Sequence, residues 1–155
     1  MSIIYKTGNI FTSEAPIIGH GVNAEGAMGS GIAVQFKQRY PKMHTFYKNL
    51  CATTTQPEQL AGQVAMWVED FYTGQDPYIV ANIFSQVKMG ANAKYEWAFE
   101  GIKSSIIFAE VNGHDTIALP QIGCGVGGLD WPVMSRSIER YFSQAPVDIE
   151  LWTYA

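Results

Sequence analysis

The sequence predicts an α/β chain, a three-layer α/β/α sandwich with a mixed, largely parallel central sheet. Three observations lead there. Short apolar runs alternate with stretches of helical spacing along the 155 residues, the pattern of strands joined by crossover helices. Two of those runs, residues 78–84 (Tyr-Ile-Val-Ala-Asn-Ile-Phe) and 116–119 (Thr-Ile-Ala-Leu), are almost continuously apolar, as strands covered on both faces are. Two glycine-rich loops each follow an apolar run and open into a helical pattern, and in open α/β sheets ligands sit beyond the carboxyl ends of strands.

In chain order, residues 3–5 predict a short edge strand and 17–22 a strand ending in the first glycine loop. Residues 32–40 predict a helix stopped by Pro41, and 43–50 a second helix. Residues 64–68 form a strand, 70–77 a polar turn, and 78–84 a central strand. Helical spacing of Trp97, Ile102, Ile106 and Ala109 predicts a helix over 93–108, with Trp97 in the core. A second central strand covers 116–119. A helix over 132–142 has Asp130 as N-cap and Pro132 in its first turn. Residues 147–154 place Val147, Ile149 and Leu151 on one face of a closing strand. No repeat, low-complexity tract or linker divides the chain, so residues 1–155 are expected to form one domain.

Composition narrows the function. Hydrophobic content of 47% and charged content of 15% leave little room for disordered tails. No apolar run approaches the about 20 residues that a membrane helix needs, and the first residues lack the basic start, long apolar run and cleavage site of a secretory signal. A cytoplasmic protein without a membrane partner is expected. A formal net charge of −4 argues against holding nucleic acid by general electrostatics. Cys51 and Cys124 show no metal-ligand spacing and predict free thiols. No metal-binding cluster is visible, and no cofactor is expected.

The chemistry concentrates in the two loops. Residues 117–131 run through a short strand into Gly123, Cys124, Gly125, Val126, Gly127 and Gly128, four glycines in six residues, and then a helix start. Bare backbone there lets a ligand approach the amides closely. Successive N–H groups make an anion nest, and the helix that follows adds the positive end of its dipole. Residues 23–31 repeat the pattern with Asn23, Met28, Gly29, Ser30 and Gly31 before Ile32. Two such loops suggest a ligand with more than one phosphate, or a phosphate and a sugar. The spacing Gly123-x-Gly125-x-x-Gly128 also satisfies the dinucleotide fingerprint, but that fingerprint normally opens its fold, and here one helix and one strand remain.

Taken together, residues 19–23 (Gly-His-Gly-Val-Asn), 28–37 (Met-Gly-Ser-Gly-Ile-Ala-Val-Gln-Phe-Lys), Tyr40-Pro41 and 118–131 resemble the macrodomain family over nearly the whole chain. The likeness is strongest to the branch of ADP-ribose-1″-phosphate phosphatases, the terminal ADP-ribose glutamate hydrolase and the antitoxin that removes ADP-ribose from DNA. It implies ADP-ribose, or its 1″-phosphate, bound across the strand ends. Gly8, Asn9 and Ile10 stand where the family's adenine-side motif has aspartate, so Asn9 accepts from the adenine amino group without charge. Gly29 to Ile32 match the first phosphate loop, preceded by Met28, and Gly123 to Gly128 the second. Asn23 falls near the distal ribose, and His20 matches a histidine proposed to act in catalysis in the phosphatase branch. Gln86 stands where the two glycohydrolases have a lysine, with Lys88 two residues on, and Gly127 where the glutamate hydrolase has an aspartate.

The resulting expectation is a metal-independent phosphatase that converts ADP-ribose 1″-phosphate to ADP-ribose and phosphate, with His20 and Asn23 catalytic. The alternatives are a glycohydrolase acting on ADP-ribosylated protein or DNA, and a reader without turnover. Phe11, Trp152 and Tyr154 are open to two readings, as core or as packing for the adenine, and Lys37, Arg39 and Lys42 are expected on the solvated surface. His20 and Asn23 are each open to a structural reading: a satisfied buried histidine and a loop-capping asparagine.

Overall fold

Alternation of side chains along buried strands sorts the core into two layers, one on each side of a six-stranded sheet. The computed structural model describes residues 2–69 and 77–154; the turn expected at 70–77 lies, apart from Pro77, outside them. The elements are β1 (Ile3–Thr7), β2 (Ile17–Val22), α1 (Ile32–Arg39), α2 (Pro41–Thr53), β3 (Val64–Val68), β4 (Ile79–Phe84), α3 (Tyr95–Val111), β5 (Thr116–Leu119), α4 (Trp131–Phe142) and β6 (Asp148–Thr153), with 3-10 turns at Ile10–Thr12 and Pro57–Leu60. The strand order is β1-β6-β5-β2-β4-β3. All neighbours are parallel except β3, which pairs antiparallel with β4. The predicted sandwich is therefore the observed one. The last strand in sequence, β6, lies inside the sheet between β1 and β5.

In β2, Ile18 and Val22 face Phe36, Met43 and Tyr47 of α1 and α2. Ile17 faces the opposite layer, with Ile102 and Ile106 of α3 and Met134 and Ile138 of α4. All six residues of β4 are buried, which explains its unbroken apolar run. Helix α3 lies close on this strand: a Cβ on Gly101 would stand 2.3 Å from Ile83 Cγ2. Trp97 is half-buried, not in either core. It packs beside the Gly62 turn with Lys94 Nζ 4.8 Å from its ring centre, because the buried stripe of α3 runs through Ala98, Gly101, Ile102, Ser105, Ile106 and Ala109 instead.

The helix boundaries follow proline chemistry. Pro41 holds Tyr40 out of helical geometry, at φ −128° and ψ 67°, and takes the first position of α2. Asp130 occupies the N-cap position of α4, but its side chain makes no capping bond; its amide donates to the Tyr95 hydroxyl at 3.0 Å.

One irregularity positions everything that follows. β2 pairs with β5 only through Ile17–Ile117 and Ile18–Ala118. β2 continues against β4 to Val22, and β5 continues against β6 to Leu119. The two central strands part after the second pair. The chain then leaves β2 towards the α1–α2 layer and leaves β5 for α4 on the other face, the switch-point arrangement that opens a crevice at strand ends.

Because the α3–β4 contact leaves no room for a side chain at position 101, Gly101→Val is expected to lower unfolding free energy by about 1–3 kcal/mol, read by chemical denaturation.

Candidate functional site

A cleft of about 550 Å³ runs across the carboxyl ends of β1, β6, β5, β2 and β4. From the first end come Gly8, Asn9, Ile10, Phe11, Trp152 and Tyr154; from β5, Pro120 to Gly123 and Gly125 to Gly127; from β2, Gly21 to Asn23, Ala27 and Gly29 to Ala33; from β4, Ser85, Gln86, Met89 and Gly90. Among the described residues that line it, none is aspartate, glutamate, histidine, lysine, arginine or cysteine.

What the lining offers is backbone. In the second loop, Cys124, Gly128 and Leu129 spend their amides on Gln121, Gly125 and Gly123 carbonyls, at 3.1, 3.2 and 2.8 Å. The amides of Gly123, Gly125, Val126 and Gly127 make no hydrogen bond among the described residues. Those of Gly29, Ser30 and Gly31 are likewise unspent, and α1 begins directly behind them at Gly31, whose φ is +61°. Gly123 has φ +74°, a conformation open to glycine at no steric cost. Two sets of donors therefore border one crevice, an arrangement suited to anionic oxygens.

The first loop is tied to the turn that follows β4. The Ala24 amide donates to the Val87 carbonyl at 2.8 Å, and the Met89 amide to Glu25 Oε1 at 2.7 Å. Asn23 works within its own loop: its Oδ1 accepts from the Glu25 amide at 2.9 Å, and its Nδ2 donates to the Ala27 carbonyl at 3.0 Å. The Tyr47 hydroxyl, its pKa raised by burial, donates to the Asn23 carbonyl at 2.6 Å. Asn23 lines the cleft, but with these bonds it is a loop-organising residue first. Gln86 Nε2 donates to the Lys88 and Gly90 carbonyls at 2.7 and 2.9 Å, which turns Oε1 towards Gly127. Lys88 is exposed and outside the lining.

At the β1 end, Asn9 Oδ1 accepts from the Phe11 amide at 3.0 Å and caps the Ile10–Thr12 turn. Its oxygen thus already accepts one hydrogen bond where an adenine amino group was expected. Trp152 is both core and lining; its indole donates to the buried Glu150 carboxylate at 2.9 Å, which also accepts from Ser13 Oγ at 2.6 Å. Phe11 packs edge-on against Phe36 at 4.9 Å, with the Arg39 guanidinium 4.4 Å from its ring centre. Tyr154 stands 80% exposed at the rim.

Four expected site residues lie outside the lining. Met28 is buried in the α1–α2 core. Cys124 turns away, Sγ 3.4 Å from the Ile122 carbonyl, its thiol pushed up to about 11 by burial and then by Asp130. A Cβ on Gly128 would stand 3.0 Å from Ala91 Cβ, a residue outside the lining. The fourth is His20. It is fully buried, two residues short of the end of β2, on the same strand face as Ile18 and Val22. Its ring stacks on Phe36 at 3.7 Å and 9°. His20 and Asn82 are register partners, and Nε2 lies 2.7 Å from Asn82 Oδ1. Asn82 Nδ2 donates to the Ala65 carbonyl at 3.1 Å, so Oδ1 accepts, Nε2 carries the proton, and Nδ1 is left without a partner. Burial drives its pKa down to about 4, against a smaller opposing effect of the Asn82 bond. The ring thus lies buried against Phe36, outside the cleft lining.

No cluster of three or more His, Cys, Asp or Glu side chains suited to a metal ion occurs among the described residues, and no helix among them is long and apolar enough to cross a membrane.

A family model described as Macro domain matches residues 20–138. The chain belongs to the Macro domain family. A DNA ADP-ribosyl glycohydrolase of Mycobacterium tuberculosis is 33% identical over 155 residues, 98% of this chain and 42% of that protein. This macrodomain thus spans less than half the length of the curated relatives it matches first. The ADP-ribose 1″-phosphate phosphatase of Lodderomyces elongisporus is 25% identical over 142 residues, 84% of this chain and 87% of that one. The solved macrodomain of M. tuberculosis DarG superposes with a TM-score of 0.85 at 27% identity, covering 99% of this chain and 98% of the other. Similarity thus extends to hydrolases of both kinds.

Within the macrodomain, residues that sequence reasoning passed over also line the cleft: Ser85, Met89, Gln121 and Ile122. The signal for them was available, since each follows the carboxyl end of a buried parallel strand.

A histidine whose folded pKa lies below its unfolded value of about 6.5 binds protons more readily when unfolded, so it lowers stability as pH falls. His20 should therefore add no pH dependence above about pH 7 and should lower unfolding free energy by about 3 kcal/mol as pH falls from 6.5 towards 4. Denaturation of His20→Gln across this range should lack that part of the decline.

Proposed function

We propose that the cleft binds ADP-ribose with its adenine at the Asn9–Trp152–Tyr154 end, its diphosphate on the two sets of free amides, and its distal ribose beside Gln86 and Gly127, and that the macrodomain hydrolyses a phosphate ester at the 1″ carbon. The observation that carries this reading is the lining itself: unspent peptide N–H groups converge there, with no ionisable acid or base among the described residues other than the rim tyrosine.

The chemistry suits such a site. Phosphoryl transfer passes through a loose transition state whose charge lies on the equatorial oxygens, and it is promoted by positioning and electrostatic stabilisation more than by covalent steps. Donors fixed before reaction supply that stabilisation. Water attacks phosphorus, the bond from phosphorus to the 1″ oxygen breaks, and the proton released by water is taken up by the departing oxygen or by phosphate itself. Gln86 Oε1, its amide group pinned in the 86–90 turn, is an acceptor able to orient the water or a ribose hydroxyl. His20 takes no part, being stacked under Phe36. The similarity to an ADP-ribose 1″-phosphate phosphatase over most of both lengths supports this substrate.

A second reading is favoured by the 33% identity to DNA ADP-ribosyl glycohydrolases: cleavage of the bond between ADP-ribose and a macromolecule. Glycoside hydrolysis commonly draws on a carboxylate pair, and the described lining has none. Phosphorus NMR of ADP-ribose 1″-phosphate incubated with the protein, beside a gel assay on ADP-ribosylated DNA and protein, separates the two. The first reading requires phosphate release, undiminished in His20→Gln. Release from the macromolecules alone selects the second, and silence in both leaves a binding domain without turnover.

The amide site also makes a structural prediction. A Cβ on Gly125 would meet no atom within 4 Å, and its φ is not positive. Gly125→Val should therefore melt like the wild type yet bind ADP-ribose at least about tenfold more weakly by calorimetry, because the added side chain occupies space over the nest.

A further inference from the structure

Among the described residues, His20 Nδ1 and Ser85 Oγ are buried side-chain polar atoms without a partner, and of these two residues Ser85 lines the cleft. Ser85 lines the cleft and is 1% exposed, and its Oγ makes no hydrogen bond. Its backbone is fully engaged: the amide donates to the Ile83 carbonyl at 2.8 Å, and the carbonyl accepts from the Lys94 amide at 3.0 Å. The hydroxyl is thus the free group of this residue. A buried hydroxyl without a partner carries an unrecovered desolvation penalty, and such an atom in a native cleft calls for an explanation.

Its neighbours show that room has been kept for it. A Cβ on Gly21 would stand 2.6 Å from Ser85 Oγ, 3.1 Å from Ile122 Cγ2 and 3.5 Å from the Gly123 nitrogen. The hydroxyl therefore sits where the end of β2 meets the start of the second loop, near the unspent Gly123 amide and next in sequence to Gln86. The sheet gives the scale. Ser85 follows β4, three strands from β6 and its Trp152; at about 4.8 Å per strand that is about 14 Å. The hydroxyl is thus far from the aromatic end of the cleft and close to the end where Gln86 Oε1 faces Gly127.

We infer that Ser85 is a ligand-contact residue for the distal ribose, its hydroxyl gaining in the complex the hydrogen bond it lacks otherwise. This rests on the ADP-ribose reading above. A turn about its single χ1 torsion between staggered positions presents the hydroxyl to a ligand on the floor, where it serves as donor or acceptor for a ribosyl hydroxyl. Ser85 then distinguishes nucleotides that carry the second ribose from those that end at the diphosphate.

The test is calorimetric titration of wild type and Ser85→Ala with ADP-ribose and with ADP, alongside thermal melting. Ser85→Ala should lose about tenfold in affinity for ADP-ribose, change by less than twofold towards ADP, and melt at or above the wild-type temperature, since an unpartnered hydroxyl has been removed. A purely structural serine would lower the melting temperature and weaken both nucleotides alike, and either result overturns the assignment. Wild type that binds ADP-ribose, with Ser85→Ala equal to it, removes the distal-ribose contact and leaves the ADP-ribose reading standing. Wild type that binds neither nucleotide removes both.

Discussion

The parting of β2 from β5 is the constraint on which this molecule depends. Two register pairs hold the strands together, and beyond Ile18 and Ala118 each keeps only its outer neighbour. Parallel strands need long crossovers, and here the crossovers leave to opposite faces, so nothing bridges the gap between the strand ends. Both glycine-rich loops start at that gap. Position 19, just past the divergence, has no space for a side chain: its Cβ would meet Leu119 Cδ2 at 2.7 Å. The crevice is thus a product of sheet topology, and glycine is what permits the two chain segments to border it closely.

An uncharged crevice in a chain of net charge −4 must draw an anion by dipoles. Peptide N–H groups do this without the desolvation penalty of a buried ammonium or guanidinium, and they are rigid when their loops are rigid. Rigidity is supplied by side-chain bonds around the loops. Asn23 and Tyr47 fix the first loop, Glu25 joins it to the 86–90 turn, and Gln86 closes that turn from within. Trp152 is steadied through Glu150 and Ser13 in the same way.

Most of this architecture was legible in the sequence because it follows from periodicity and from glycine. The runs at 78–84 and 116–119 became the buried strands β4 and β5, and Pro41 divided α1 from α2 as expected. The two glycine loops could be placed on one rim from the rule that parallel strands carry ligands at their carboxyl ends. Side-chain direction was less legible. His20 resembles a catalytic histidine through its motif, but strand alternation puts it on the α1 face, its ring stacked on Phe36 and outside the cleft lining. Trp97 missed the core because it stands five residues before Ile102, off the face that Ala98, Gly101, Ile102, Ser105, Ile106 and Ala109 share. Met28 and Cys124 belong to the loops by sequence, yet their side chains point away from the cleft. The motif names a loop, and only the fold decides which atoms of the loop face inward. Ser85 illustrates the converse, an ordinary serine made conspicuous by a missing hydrogen bond.

The account stands on peptide nitrogen as the ligand-holding group, and the most direct test is to follow the backbone ¹H–¹⁵N resonances during titration with ADP-ribose. The amides of Gly29, Ser30 and Gly31, and those of Gly123, Gly125, Val126 and Gly127, should shift together and saturate at one ligand concentration, while His20 and Cys124 move little. Amide signals in both loops that stay in place at millimolar ligand would contradict it.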